Sequence, residues 1–168
     1  MLKGEYVTLR FPEADDVQIF SGWMKDSEVA KYLPFTYPAS SKAVECMIKN
    51  FRNNDICRMF IIDTEDEIPI GICSLNDIDW VNGSAKINVI LYAKNCWGRG
   101  YGYDALKTLT YFAMYDMNMH VIYTQVMEDN ERAIKCFKKA GYEVEGVLRN
   151  RLYKDGQRKN LVSMSISK

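Results

Sequence analysis

The stretch Cys96-Trp97-Gly98-Arg99-Gly100-Tyr101-Gly102-Tyr103 constrains this chain more than any other. It follows a strand-like run, Ala85 to Ala93, and opens a helix-like run that ends near Met117. Its glycines let the backbone turn tightly and bring N–H groups close to a ligand. The helix beyond adds unpaired N–H groups and the positive end of its dipole. A strand–glycine loop–helix junction of this kind suits a phosphate or pyrophosphate.

The rest of the chain supplies the context that junction needs. Glu5 to Arg10 alternates as a first strand, and Pro12 precedes a helix carried by Asp16, Val17, Ile19, Phe20 and Trp23. Asp26-Ser27 caps a short helix, and Ser40 or Ser41 caps another running to about Phe51. Met59–Ile62 and Pro69–Leu75 read as strands around an acidic turn, Asp63 to Glu67, and Asn82-Gly83 marks a hairpin before the strand Lys86 to Tyr92. Val121 to Met127 alternates. Asn130 opens a helix with Ala133, Ile134, Phe137 and Ala140 inward, closed by Gly141. Tyr142–Arg149 and Leu161–Ile166 form a final strand pair turned at Asp155-Gly156. This order indicates a mixed α+β sheet and, over 168 residues without linker or repeat, one domain covering 1–168.

Bulk composition excludes several classes. Lys plus Arg equals Asp plus Glu at 22 each, so no net field draws the chain to nucleic acid or an anionic membrane. No apolar run approaches the ~18 residues that span a bilayer. Five cysteines without a C-x-x-C, and a single histidine, argue for reduced thiols in a cytoplasmic protein and against a metal centre.

These motifs together resemble the GNAT superfamily of acyl-CoA-dependent N-acetyltransferases. The likeness runs through Leu2-x-Gly4 with Val7-Thr8-Leu9-Arg10, Gly71 to Asp79, Ala85 to Tyr92, the glycine loop, Asn130-x-x-Ala133-Ile134, Lys139-Ala140-Gly141-Tyr142 and Glu145-Gly146-x-Leu148-Arg149. It looks most like the branch that acetylates the N-termini of ribosomal proteins. It implies a mixed, mostly antiparallel, twisted sheet of about seven strands with helices on both faces. It also implies acetyl-CoA as cosubstrate and no metal. Trp97, Gly98, Arg99, Gly100, Tyr101 and Gly102 then cradle the pyrophosphate. The strand edge at Ile90, Leu91 and Tyr92 pairs with the pantetheine amides as an added strand would, and Asn130 bonds the same arm. Arg132, Lys135 and Lys138 are candidates for the phosphates. Many members of such a family are dimers, and a homodimer is compatible with this sequence.

The resemblance departs at the proton-transfer groups. The position seven after Asn130, where many relatives carry a thiolate-protonating Tyr, is Phe137, and the strand position that often holds a basic Glu is Lys86. Direct attack of an amine on the thioester still benefits from a base, worth roughly 10²–10⁴-fold, and from placement alone. Backbone N–H groups near Leu91 are candidates to polarise the carbonyl. Asp77 and Asp79, two apart on one strand face, are candidates for the base or for holding an ammonium; the alternative is a pair of turn-flanking acids. Tyr92 and Tyr101 are the hydroxyl candidates for the thiolate. His120 reads as a turn residue, Cys96 as a buried thiol and Asp104 as a helix-dipole partner. Trp23, Tyr32, Phe35 and Tyr37 are either an acceptor wall or core. Arg149, Arg151 and Lys154 form a basic run, read as a solvated face or a phosphate contact. The amine acceptor is a protein or peptide N-terminus, with a nucleotide-linked amino sugar, a polyamine or an aminoglycoside as alternatives. The rival from another class is a non-catalytic acyl-CoA-binding protein.

Overall fold

Val7 and Leu9 alternate with Thr8 and Arg10, and that pattern buries the first pair in β2 (Val7–Arg10). The first strand is therefore shorter than the expected Glu5–Arg10, and a two-residue strand, β1 (Leu2–Lys3), precedes it. β3 (Arg58–Thr64), β4 (Pro69–Asp79), β5 (Ser84–Leu91), β6 (Val121–Met127), β7 (Glu143–Lys154) and β8 (Gln157–Ser167) complete one sheet. The computed structural model describes residues 1–23, 26–31, 33, 42, 45–46, 48–49 and 55–168. Tyr32, Phe35, Tyr37 and most of the expected Ser40–Phe51 helix lie outside the described residues.

The sheet order is β1-β2-β3-β4-β5-β6-β8-β7, eight strands where about seven were expected. All neighbours are antiparallel except β5 and β6. The parallel pair is short: Ser84, Ala85 and Lys86 face Val121, Ile122 and Tyr123, and beyond Lys86 the two strands are unpaired. This fork is the feature that positions the site.

Helices cover both faces. α3 (Tyr101–Tyr111) lays Ala105, Leu106 and Leu109 against Leu75, Ala85, Ile87 and Ile122, and α4 (Glu131–Lys139) adds Phe137 to that cluster. On the other face, α1 (Asp16–Trp23) packs Phe20 onto Met59 and Ile61. α2 (Ser27–Ala30) follows, with the Asp26 carboxylate accepting from the N–H groups of Glu28 and Val29.

Several polar residues fold differently from the sequence expectation. Asp63 belongs to β3 rather than to the acidic turn; it is buried and shares Arg10 with Asp16, at 2.6 and 2.8 Å. Asp104 is buried rather than simply placed at a helix start, and its carboxylate accepts from the backbone N–H groups of Glu5, Tyr6 and Val7. The Asp155-Gly156 turn matches expectation: Lys154 pairs Gln157, and both turn residues have positive φ, 51° and 76°. That is the two-residue turn that suits the sheet's twist.

Candidate active site

The fork opens onto a cleft of about 380 Å³. Val89, Ile90 and Leu91 of β5 line one side, Ala133, Cys136 and Phe137 of α4 another, and Val29 and Leu33 a third. The glycine loop closes its end with Trp97, Gly98, Gly100 and Gly102. Gly98 and Gly100 have φ of 75° and 90°, where an L side chain is strained, and Gly100 caps α3. Of the loop residues expected to touch a ligand, Arg99 and Tyr101 do not line the cleft; Tyr101 packs against the core as the first residue of α3.

The strand edge differs in register from the sequence reading. A Cβ on Gly71 would meet the Ile90 carbonyl oxygen, so that carbonyl points at β4. The fork-facing peptide groups are consequently those of Val89 and Leu91. The Leu91 carbonyl accepts from Trp97 Nε1 at 2.9 Å, which anchors the loop to the strand. Tyr92 N–H is committed to Ile70 O at 2.9 Å.

Asn130 caps α4: its side-chain oxygen accepts from Ala133 N–H at 3.2 Å. Its amide nitrogen is the group left for a ligand. Phe137 is buried, edge-on to Tyr142 with ring centroids 5.0 Å apart. The cations at the cleft are Arg132, Lys135 and Lys139; Lys138 does not line it. Arg132 stacks over Trp97 and Lys139 over Tyr103, at 4.0 and 4.4 Å from the ring centroids.

The catalytic candidates separate sharply. β4 breaks register between Asn76 and Asp79, and Asp77 takes a left-handed φ of 49°, so Asp77 and Asp79 do not follow simple alternation. Asp79 is the cap of the 80–83 turn, accepting from Asn82 N–H, Asn82 Nδ2 and Val81 N–H. Those bonds, chiefly from the Asn82 backbone, hold its carboxyl below the usual range. A carboxylate so occupied is a poor base. Asp77 is exposed and makes no hydrogen bond or ion pair among the described residues. Burial first, and the Asp77 charge second, raise the Cys57 thiol to about 11, and the same two causes raise the Tyr123 phenol.

Tyr92 does not serve the cleft. It is buried, stacked on Trp23 at 4.8 Å, and its hydroxyl has no partner among the described residues. Burial raises its pKa further, so it is no proton donor to a thiolate. His120 sits exposed in the turn before β6, as the sequence suggested, and Cys96 is buried at the cleft wall.

The basic run 149–154 divides. Arg149 and Arg151 are exposed, but Lys154 is only 5% exposed and donates to the carbonyls of Ala30 and Leu33. It ties the β7–β8 hairpin to α2 and hence to the Val29–Leu33 wall. The sequence marked Lys154 only as part of a basic run and gave no signal of this contact, because it joins segments more than 120 positions apart. Among the described residues no helix is long and apolar enough to cross a membrane.

Residues 7–143 match the family model described as Acetyltransferase (GNAT) domain. The chain is 31% identical over 150 residues, 87% of its own length and 84% of the relative's, to the uncharacterized N-acetyltransferase p20 of Bacillus licheniformis. It is 22% identical to the spermidine N(1)-acetyltransferase of Vibrio cholerae, over 95% of this chain and 92% of that one. The solved structure of a Vibrio cholerae spermidine N-acetyltransferase in complex with CoA and spermine superposes with a TM-score of 0.90 at 21% identity, covering 96% and 95% of the two chains. The two Vibrio cholerae proteins are named as spermidine N-acetyltransferases, and none of the three is named for the ribosomal-protein branch expected from the sequence. The glycine loop, the fork and the family match agree: the chain belongs to the GNAT acetyltransferase family and is an acetyl-CoA-dependent N-acetyltransferase that transfers acetyl to an amine.

Proposed function

We propose that acetyl-CoA occupies the 380 Å³ cleft and that the acceptor amine meets its thioester at the β5–β6 fork, arriving from the α1 side of the sheet. The observation that carries this is the fork itself. It leaves the Val89 peptide group and the Leu91 N–H unpaired toward β6, directly beside a glycine loop whose N–H groups suit a pyrophosphate. Arg132 and Lys139, held by aromatic rings, sit where they can add charge to the phosphates. Asn130 Nδ2 reaches the pantetheine arm.

The amine nitrogen attacks the thioester carbonyl, the C–S bond breaks, and CoA leaves as thiolate. Asp77 takes the amine's proton, directly or through one water. Phe137 has no proton to give, so the thiolate is protonated by solvent. The reading places the chain as one domain in a reducing, cytoplasmic setting, which the five free cysteines support.

A polyamine acceptor is the second reading, favoured by the names of the Vibrio cholerae relatives. Thiol-detected CoA release with product mass, across peptide N-termini, amino sugars, aminoglycosides and spermidine, tests both. An acetylated product identifies the acceptor class. Acetyl-CoA binding without release from any amine sinks the transferase reading in favour of a binding protein.

A further inference from the structure

On the sheet face opposite α3, Lys86 at the mouth of the fork has no carboxylate partner, and Asp77 of the neighbouring strand has no hydrogen-bond partner among the described residues. Ala85 and Ile87 are buried under α3, so Lys86, Asn88 and Ile90 face the opposite side of the sheet. Lys86 pairs across with Asn76 on β4 and Tyr123 on β6, and it is the last residue before the fork opens. Its Nζ donates to Gln125 Oε1 at 3.2 Å. An ammonium has three N–H groups, so two remain for a ligand.

No carboxylate of the protein neutralises Lys86. All 22 acids fall among the described residues. Asp16 and Asp63 are held by Arg10, Asp104 by backbone, Asp79 by its own turn, and Asp26 with Glu28 by Lys94. Asp77 follows Asn76, the partner of Lys86, where β4 breaks register, and its charge is felt by Cys57 and by Tyr123, which pairs with Lys86 on β6. The surrounding side chains are polar: Cys57 Sγ donates to Asn76 Oδ1, and Asn76 Nδ2 donates to Ser74 Oγ.

We infer that Asp77 and Lys86 form an acceptor subsite for an amine that also carries an anionic group, a carboxylate or a phosphate. The inference rests on the transferase reading above and narrows its acceptor. Asp77 draws the ammonium and takes its proton. Lys86 binds the anion through charge-assisted hydrogen bonds at the mouth of the fork, which fixes the amine's direction toward the thioester. A polycation entering the same site brings like charge against Lys86, so the residue that attracts one acceptor class repels the other.

Matched acceptors test this: a free amino acid against its amide, a phosphorylated amino sugar against the unphosphorylated one, and spermidine. The expected result is a kcat/KM at least about tenfold higher for the anionic member of one pair, the pair identifying carboxylate or phosphate as the source. Lys86→Met raises the KM for that acceptor by roughly the same factor and so removes the preference within the pair; Lys86→Arg restores the preference. Lys86→Glu moves the preference toward spermidine. Spermidine or the neutral members preferred by the unaltered protein, or a Lys86→Met KM that does not change, overturns the inference alone. No CoA release from any acceptor overturns the transferase reading and the inference with it.

Discussion

Arg132 lies over the indole of Trp97, its guanidinium carbon 4.0 Å from the ring centroid, while Trp97 Nε1 donates to the Leu91 carbonyl. One aromatic side chain thus fixes both the loop against β5 and a cation beside the loop. A cation–π contact is worth about 0.5–1 kcal/mol at an exposed site such as Arg132, and about 2 or more when a bound ligand desolvates it. Arg132→Ala is expected to raise the KM for acetyl-CoA roughly threefold to thirtyfold with a smaller change in kcat, read by steady-state kinetics. Trp97→Phe keeps a ring but loses the Leu91 bond, and is expected to fall between the two.

Gly71 has no room for a methyl group, because a Cβ there meets the Ile90 carbonyl oxygen, a backbone atom that cannot rotate away. Gly71→Ala should cost about 3 kcal/mol or more and lower the melting temperature by roughly 10 °C. Calorimetry showing no change would mean that β4 and β5 are not held in this register.

Lys154 holds α2 through two carbonyls, and Lys154→Met leaves both without their partner. A loss of roughly 2 kcal/mol in denaturant unfolding is expected. Because Val29 and Leu33 line the cleft, acetyl-CoA affinity should fall several-fold in the same variant. Lys154→Arg tests whether a cation of different shape can keep the contact.

The folded pKa of Asp79 lies below its ordinary 3.8, so its stabilising bonds are fully present above that value and fade as pH falls through the lower folded one. Asp79→Ala should therefore be less stable than the parent at pH 7, and the gap between their urea midpoints should narrow as pH falls below 3.8. A gap that persists at low pH would mean the effect is not carried by the charge. The same variant should retain acetyl transfer, since its carboxylate is committed to the turn.

Phe137 lines the cleft, and the family resemblance implies a Tyr hydroxyl at this position for the leaving thiolate. Phe137→Tyr is expected to raise kcat where thiolate departure limits turnover, by at most the roughly 10²–10⁴-fold that a placed acid contributes. A solvent isotope effect on kcat that shrinks in the variant would mark the new proton donor.

Local rules made much of this molecule legible in its sequence. The glycine loop after a strand, Asn130 as helix cap, Gly141 as helix stop and Asp155-Gly156 as a two-residue turn each depend on a few adjacent residues, and each is found as expected. The family resemblance drew on the spacing of the same elements. What failed was side-chain destination. Asp77 and Asp79 looked equivalent until a bulge in β4 sent one to solvent and the other to its own turn. Tyr92 lies one residue past the end of β5 rather than ending it, and its hydroxyl is turned into the core.

The sequence by itself determined the order of the elements and the glycine loop, because those are set by backbone conformations that neighbouring residues impose. Only the tertiary structure decided that Asp104 accepts the N–H groups of residues 5–7, that Lys154 closes on α2, and that Lys86 stands unneutralised at the fork. Each of these depends on which distant segment occupies the space beside a side chain, and on strand register, where a shift of one residue exchanges the two faces of the sheet.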